Sequence, residues 1–200
     1  MKKVLFLGCH CDDIELGCGA TIFKHQNDWA IRCVTLSENG LNNANYSLMT
    51  ESRKALESLG VKELAYFNNP VNDFPSCRQK IWQILHNLDE LITPDLVFTQ
   101  EADNQQDHET LYKETLRNFR SASIVTYKSS IRNAPNHQYN YFETVSQEAC
   151  DAKIKSLQYY PGYKNFLYFN PKNVEAIMRV NGIYAQTEFA EAFNAVKLIY

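Results

Sequence analysis

The chain opens on an unbroken apolar run over residues 4–8, with two lysines before it and a polar cluster after it, which predicts a short buried strand. Residues 16–26 then have room for a helix, so the start reads as a strand-to-helix unit. Residues 31–36 (IRCVTL) supply a second buried strand. Residues 46–59 read as a helix ended by Gly60, glycine being the usual residue just beyond a helix terminus. A third strand is expected at residues 64–67. Over residues 75–92, Ile81, Ile84, Leu85, Leu88, Leu91 and Ile92 recur at steps of three and four, the spacing of one face of an amphipathic helix.

Pro94 ends that helix. Residues 95–99 (DLVFT) predict the next strand, a polar loop runs to Asp107, and residues 108–119 read as helix. Strands are expected at 122–127 and 139–145. Ser146 caps a helix through residue 157, and Asn170–Pro171, with Gly182 beyond, bracket another by the cap-residue, first-turn-proline and terminal-glycine rules. Strands alternating with helices imply right-handed crossovers and a mostly parallel sheet covered on both faces, hence an α/β, Rossmann-like fold. In such sheets ligands gather at the carboxyl ends of strands, near the point where the winding reverses.

Length narrows this to one domain over residues 1–200, since 200 residues is a comfortable size for one core. The net charge of −3, with no dense Lys/Arg cluster, gives no footprint for nucleic acid and suits a small or weakly charged ligand. The apolar run after Met1-Lys2-Lys3 is too short for a secretion signal, and no stretch approaches the roughly 20 apolar residues of a membrane span. Six cysteines at 9, 11, 18, 33, 77 and 150 show no framework spacing and read as reduced thiols in a cytoplasmic protein.

Candidate chemistry sits at two strand exits. His10, Asp12, Asp13 and Glu15 crowd the end of the first strand, where a divalent cation would relieve the repulsion of adjacent carboxylates. A DD pair in a loop is also an ordinary helix cap or solvated surface. His108 opens a helix after a later strand, which favours neutral, lone-pair-bearing imidazole, although a histidine at a helix start can be purely structural. A zinc-type site needs about three protein ligands and an open position, so residues 10–13 alone are too few.

The stretch GCHCDDIELGCGATIFKH resembles the opening of the PIG-L/LmbE-like zinc deacetylases, whose pattern is A-H-P-D-D-E before a Gly-rich helix entry. Gln105 to His108 is similar to that family's H-x-D-H motif. Residues 59–61, Asp73, residues 94–98 and the tail around Arg179, Gly182 and residues 190–193 also fall where the family has matching features.

The resemblance implies an LmbE-like fold. It also implies that His10, Asp13 and His108 hold Zn2+ or another divalent ion such as Fe2+, and that Asp12 is the general base. The reaction implied is removal of the N-acetyl group from an amino sugar, GlcNAc-type, carried on a glycan, glycolipid or glycoconjugate. Asp107 would pair with residue 105 to assist the transition state, with Asp73, Glu15, Arg179 and Glu191 as candidate substrate contacts; Arg179 and Glu191 could equally pair with each other.

Gln105 stands where the family has histidine, and an amide cannot carry a proton in acid catalysis. The alternative is therefore a sugar-binding or regulatory protein with weakened catalysis on the same scaffold. Cys9 and Cys11 replace the family's Ala and Pro, as packing changes or as ligands. The aromatic cluster at Tyr159, Tyr160, Tyr163, Phe166, Tyr168 and Phe169 fits core packing, a homo-oligomer contact or sugar stacking. His25, His86 and His137 show no partner pattern and read as surface residues.

Overall fold

The computed structural model describes residues 1–40, 43–129 and 139–199, so His137 lies outside the described residues. β1 (Lys2–His10) forms from the opening apolar run and is buried from Val4 onward. Its alternate side chains serve two different cores, as the period of two in a strand requires. Val4 and Phe6 pack with Ile14, Cys18 and Ile22 of α1 (Asp13–His25). Leu5, Leu7 and Cys9 pack on the other face, with Ile81, Leu85 and Leu88 of α3 (Arg78–Ile92) and Leu111 of α4 (Gln106–Asn118).

The remaining strands are β2 (Trp29–Ser37), β5 (Glu63–Tyr66), β6 (Leu96–Gln100), β7 (Ser123–Tyr127), β8 (Tyr141–Val145) and β9 (Phe189–Lys197), with a separate ribbon of β3 (Asn39–Gly40) and β4 (Asn43–Ser47). The seven-stranded sheet runs β5-β2-β1-β6-β7-β9-β8. Its first five strands are parallel, with Val4 opposite both Ile31 and Leu96. β9 pairs antiparallel with both β7 and β8. The fold is thus α/β with a mostly parallel sheet and helices on both faces, as expected from the strand–helix alternation.

Several boundaries moved for identifiable reasons. The helix expected from residue 46 starts later, as α2 (Met49–Ser58), because the β3–β4 ribbon holds the preceding chain and Leu48 N donates to Glu38 O at 2.8 Å. On α3, Ile81, Leu85 and Leu88 are buried, but Leu91 is 75% exposed and does not belong to the core face. Ser146 caps α5 (Gln147–Leu157) by accepting from Ala149 N, and Asn170 caps α6 (Pro171–Ala185) by accepting from Lys172 N.

Gly182 does not end α6. A Cβ there would lie 2.6 Å from the carbonyl oxygens of Thr187 and Glu188, so glycine lets the chain fold back against the helix, which ends at Gln186 in the left-handed region. β9 had no counterpart among the expected strands: Ala190, Glu191 and Ala192 have low intrinsic strand preference, and the strand exists through its two neighbours. No helix among the described residues is long and apolar enough to cross a membrane.

Candidate active site

The chain winds from β1 outward through β2 and β5, then crosses back to β6 and β7 on the other side of β1. That reversal leaves a crevice beyond the carboxyl ends of β1 and β6. His10 is the last residue of β1 and Asp13 the first of α1, so only Cys11 and Asp12 make the connection. Asp12 takes a left-handed conformation, φ 113°, a strained choice for a non-glycine residue and one that accumulates at functional sites. From the other side, β6 ends at Gln100 and His108 lies in the first turn of α4.

These two exits meet. The rings of His10 and His108 are 5.6 Å apart, and Asp13 lies between their nitrogens: His10 Nδ1 is 3.5 Å from Asp13 Oδ2 and His108 Nε2 is 3.7 Å from Asp13 Oδ1. Each imidazole is held from behind by another carboxylate. His10 Nε2 sits 2.9 Å from Asp107 Oδ2, and His108 Nδ1 sits 2.8 Å from Asp103 Oδ1. A carboxylate only accepts, so the rear nitrogens carry the hydrogens. In the neutral ring, the form that binds a metal, His108 Nε2 is left with a lone pair; it is buried and has no hydrogen-bond partner. A carboxylate behind each histidine is the usual support of metal-binding imidazoles, and an orphan buried nitrogen facing a carboxylate fits a divalent cation.

The electrostatics separate the two adjacent aspartates. Burial and the neighbouring Asp13 charge push the Asp12 carboxyl well above its ordinary value, against the pull of His10. Asp13 is buried too, but the charges and hydrogen bonds of His108 and His10 hold it below the usual carboxylate range. One carboxyl of the pair is inclined to hold a proton and the other to stay ionised, a division that suits one to proton transfer and the other to binding a cation. Burial would lower the pKa of His10, but its hydrogen bonds to Asp107 and Asp13 raise it to about 10. The cluster attracts positive charge, whether a proton or a metal ion.

The other sequence candidates are placed less uniformly. Glu15 is buried next to the cluster; burial lifts it to about 7 against hydrogen bonds from Tyr160 OH (2.6 Å) and Ser52 Oγ (3.0 Å). Asp73 lies in a loop docked onto the site, because Asn72 N and Phe74 N donate to Asp107 at 2.7 and 3.1 Å. Gln105 precedes α4, half-buried, with its backbone N 3.3 Å from Asp103 Oδ1. Asp107 does not pair with Gln105: both its oxygens are taken by His10 and the residue 72–74 loop.

Arg179 and Glu191 do not pair with each other. Arg179 is on the surface with Glu175 and Glu188, lying over the Phe189 ring. Glu191 is buried, accepting from Lys153 Nζ at 2.6 Å and from Ala20 N and Thr21 N of α1. Those partners fasten both residues to the fold, and Glu191 also lines a cavity with Leu16, Lys153 and Met178. Among the aromatics, Tyr160 and Phe169 are buried in the core with Leu16 and Met178, while Phe166 is exposed. His25, expected at the surface without a partner, stacks on Trp29 and bonds Asp28.

Two residues of the cluster, Asp103 and Gln100, were given no role from sequence, and a third, Cys9, was read as a packing change or a ligand. Asp103 and Gln100 both face His108 Nδ1, at 2.8 and 3.1 Å. Cys9 is buried with its Sγ, an Asp13 carboxylate oxygen and a His108 nitrogen all within 4.8 Å of one another. The strand period was the available signal, since it puts Cys9 on the face that α4 covers.

Residues 5–146 match the family described as PIG-L, GlcNAc-PI de-N-acetylase. The chain belongs to the PIG-L family. It is 26% identical over 167 residues to the Escherichia coli (strain K12) protein described as uncharacterized deacetylase YaiS, covering 78% of this chain and 89% of that one. Among solved structures, the N,N'-diacetylchitobiose deacetylase from Pyrococcus horikoshii superposes with a TM-score of 0.71 at 19% identity, covering 98% of this chain and 84% of the other. GalB, a 4-carboxy-2-hydroxymuconate hydratase from Pseudomonas putida KT2440, gives 0.79 at 15% identity, covering 100% and 98%. A deacetylase and a hydratase therefore share this PIG-L-like architecture, and the site must decide the chemistry.

Proposed function

We propose that this PIG-L protein is a metal-dependent hydrolase of linear amide bonds, removing the N-acetyl group from an N-acetylated amino sugar of GlcNAc type. The observation that carries the reading is the buried, unpartnered Nε2 of His108 turned towards Asp13, with His10 on the opposite side of the same carboxylate. His10, Asp13 and His108 would hold zinc or another divalent ion such as iron(II). Held by these residues, such an ion would lower the pKa of a water towards about 7 and would polarise the acetamide carbonyl.

The chain's own groups do the rest. Asp12, one residue before the ligand Asp13 and with a raised affinity for protons, takes a proton from the attacking water. The water oxygen bonds to the acetyl carbon, and the carbon–nitrogen bond then breaks. Gln105 can donate a hydrogen bond but no proton, so Asp12 passes its proton to the departing nitrogen. Acetate and a free amine result. Asp73, carried on the loop that Asp107 anchors, contributes an acceptor for sugar hydroxyls.

The test is acetate release from a panel of N-acetylamino sugars with zinc, iron(II) or cobalt supplied. The wild type turns over, Asp12→Asn is silent but keeps its metal, and His108→Ala loses the metal. A full panel without acetate would sink the reading. It would favour the alternative that Gln105 motivates, a sugar-binding or regulatory protein; robust turnover ends that alternative. Six free cysteines suit a reducing compartment, and we place the protein in the cytoplasm as one deacetylase domain.

A further inference from the structure

A His–Asp–His set leaves Cys9 unexplained. On β1, Leu5, Leu7 and Cys9 project to the face covered by α3 and α4, and α4 carries His108. Cys9 Sγ therefore reaches the crevice from beneath, where it shares a 4.8 Å neighbourhood with an Asp13 oxygen and a His108 nitrogen, all three residues being buried. Cys9 forms no disulfide, and His108 Nε2 beside it has no hydrogen-bond partner. A thiol, a carboxylate and an imidazole lone pair converging in a buried space are potential donors to one cation; with His10 they would make four protein ligands, so the attacking water would have to enter as a fifth.

We propose that Cys9 Sγ is a direct sulfur donor to the ion held at Asp13 and His108, an inference that rests on the metal-dependent reading above. The sulfur makes this centre softer than an all-nitrogen-and-oxygen set. It selects zinc, cobalt(II) or iron(II) over magnesium, calcium and manganese, which prefer oxygen. Cys11, two residues along, supplies the internal control: its Sγ donates to the backbone carbonyls of Ser37 and Glu38 at 3.9 and 3.6 Å and is not among the three groups that converge on one point.

The experiment is titration of the metal-free full-length protein with cobalt(II), followed by absorption. The wild type is expected to show visible d–d bands together with a thiolate-to-cobalt charge-transfer band in the near-ultraviolet. Cys9→Ala loses the charge-transfer band, and Cys11→Ala keeps it. Cys9→Ser, close in volume and able to offer oxygen, covers the case in which the alanine variant fails to fold; it binds cobalt without the band. Wild-type cobalt bands lacking charge transfer, or a band that survives in Cys9→Ala or Cys9→Ser, overturn ligation by Cys9 whatever the turnover. Absence of any cobalt binding overturns the metal reading itself and this inference with it. A charge-transfer band without acetate release leaves Cys9 ligation standing and counts against the deacetylase reading alone.

Discussion

Asp107 Oδ2 lies 2.9 Å from His10 Nε2, and the same carboxylate accepts the backbone N–H groups of Asn72 and Phe74. The second half of the motif that contains His108 is thereby fastened to the first half, which contains His10. A loop carrying a candidate sugar contact is fastened to both. Asp107 is fully buried, and burial that would raise its pKa is outweighed by His10 and the two backbone donors, which hold it below its ordinary value.

Asp107→Asn should therefore weaken metal binding by about 10- to 100-fold, the usual effect of removing a carboxylate behind a ligating histidine. Zinc titration of the metal-free protein by calorimetry checks this. Unchanged affinity would show that His10 needs no orienting partner.

Gln105→His restores the family's motif in sequence but not its pairing, because Asp107 is already engaged. Turnover should rise by less than about tenfold rather than the 10²–10⁴ a well-oriented acid supplies. Steady-state acetate release reads the result, and a hundredfold gain would mean that Asp107 exchanges His10 for the new side chain.

Lys153 and Glu191 form a buried ion pair at 2.6 Å, with side chains 7% and 2% exposed. Lys153→Ala leaves Glu191 without its countercharge and should destabilise by about 3 kcal/mol, the lower end for a broken buried pair, since Ala20 N and Thr21 N still donate to the carboxylate. Urea unfolding monitored by tryptophan fluorescence tests the value. Lys153→Met paired with Glu191→Gln should recover most of the loss.

Glu143 joins β8 to the end of α1 through Lys24 and His25, and Tyr141 of the same strand donates to it as well. Burial would raise its pKa, but the hydrogen bonds from Lys24 and Tyr141, with smaller help from His25, hold it below its ordinary 4.5. A depressed carboxylate binds its proton more readily in the unfolded chain, so its stabilisation is complete above that ordinary value and fades as pH falls through the lower folded one. Melting temperature measured from pH 6 downward should fall less steeply in Glu143→Gln than in wild type. Parallel curves would remove Glu143 from acid unfolding.

Much of the architecture was legible because the forces that make it are local or periodic. The run at residues 4–8, the amphipathic face of α3 and the caps at Ser146 and Asn170 all depend on spacing within one element. β9 was not legible, since its Ala-Glu-Ala segment becomes a strand only where β7 and β8 offer backbone partners. Leu91 kept the helical period but had nothing to pack against.

For the site, residue types at two strand exits sufficed to nominate His10, Asp12, Asp13 and His108, and a resemblance assigned them roles. Which nitrogen of each histidine faces a carboxylate, that Asp107 answers to His10, and that Cys9 enters the cluster are relations across some hundred positions of chain. Side-chain chemistry and spacing are properties of the chain and can be read along it. Distances of a few ångströms between remote residues arise only when sheet order and helix packing bring β1 beside β6, and there the tertiary structure alone decided.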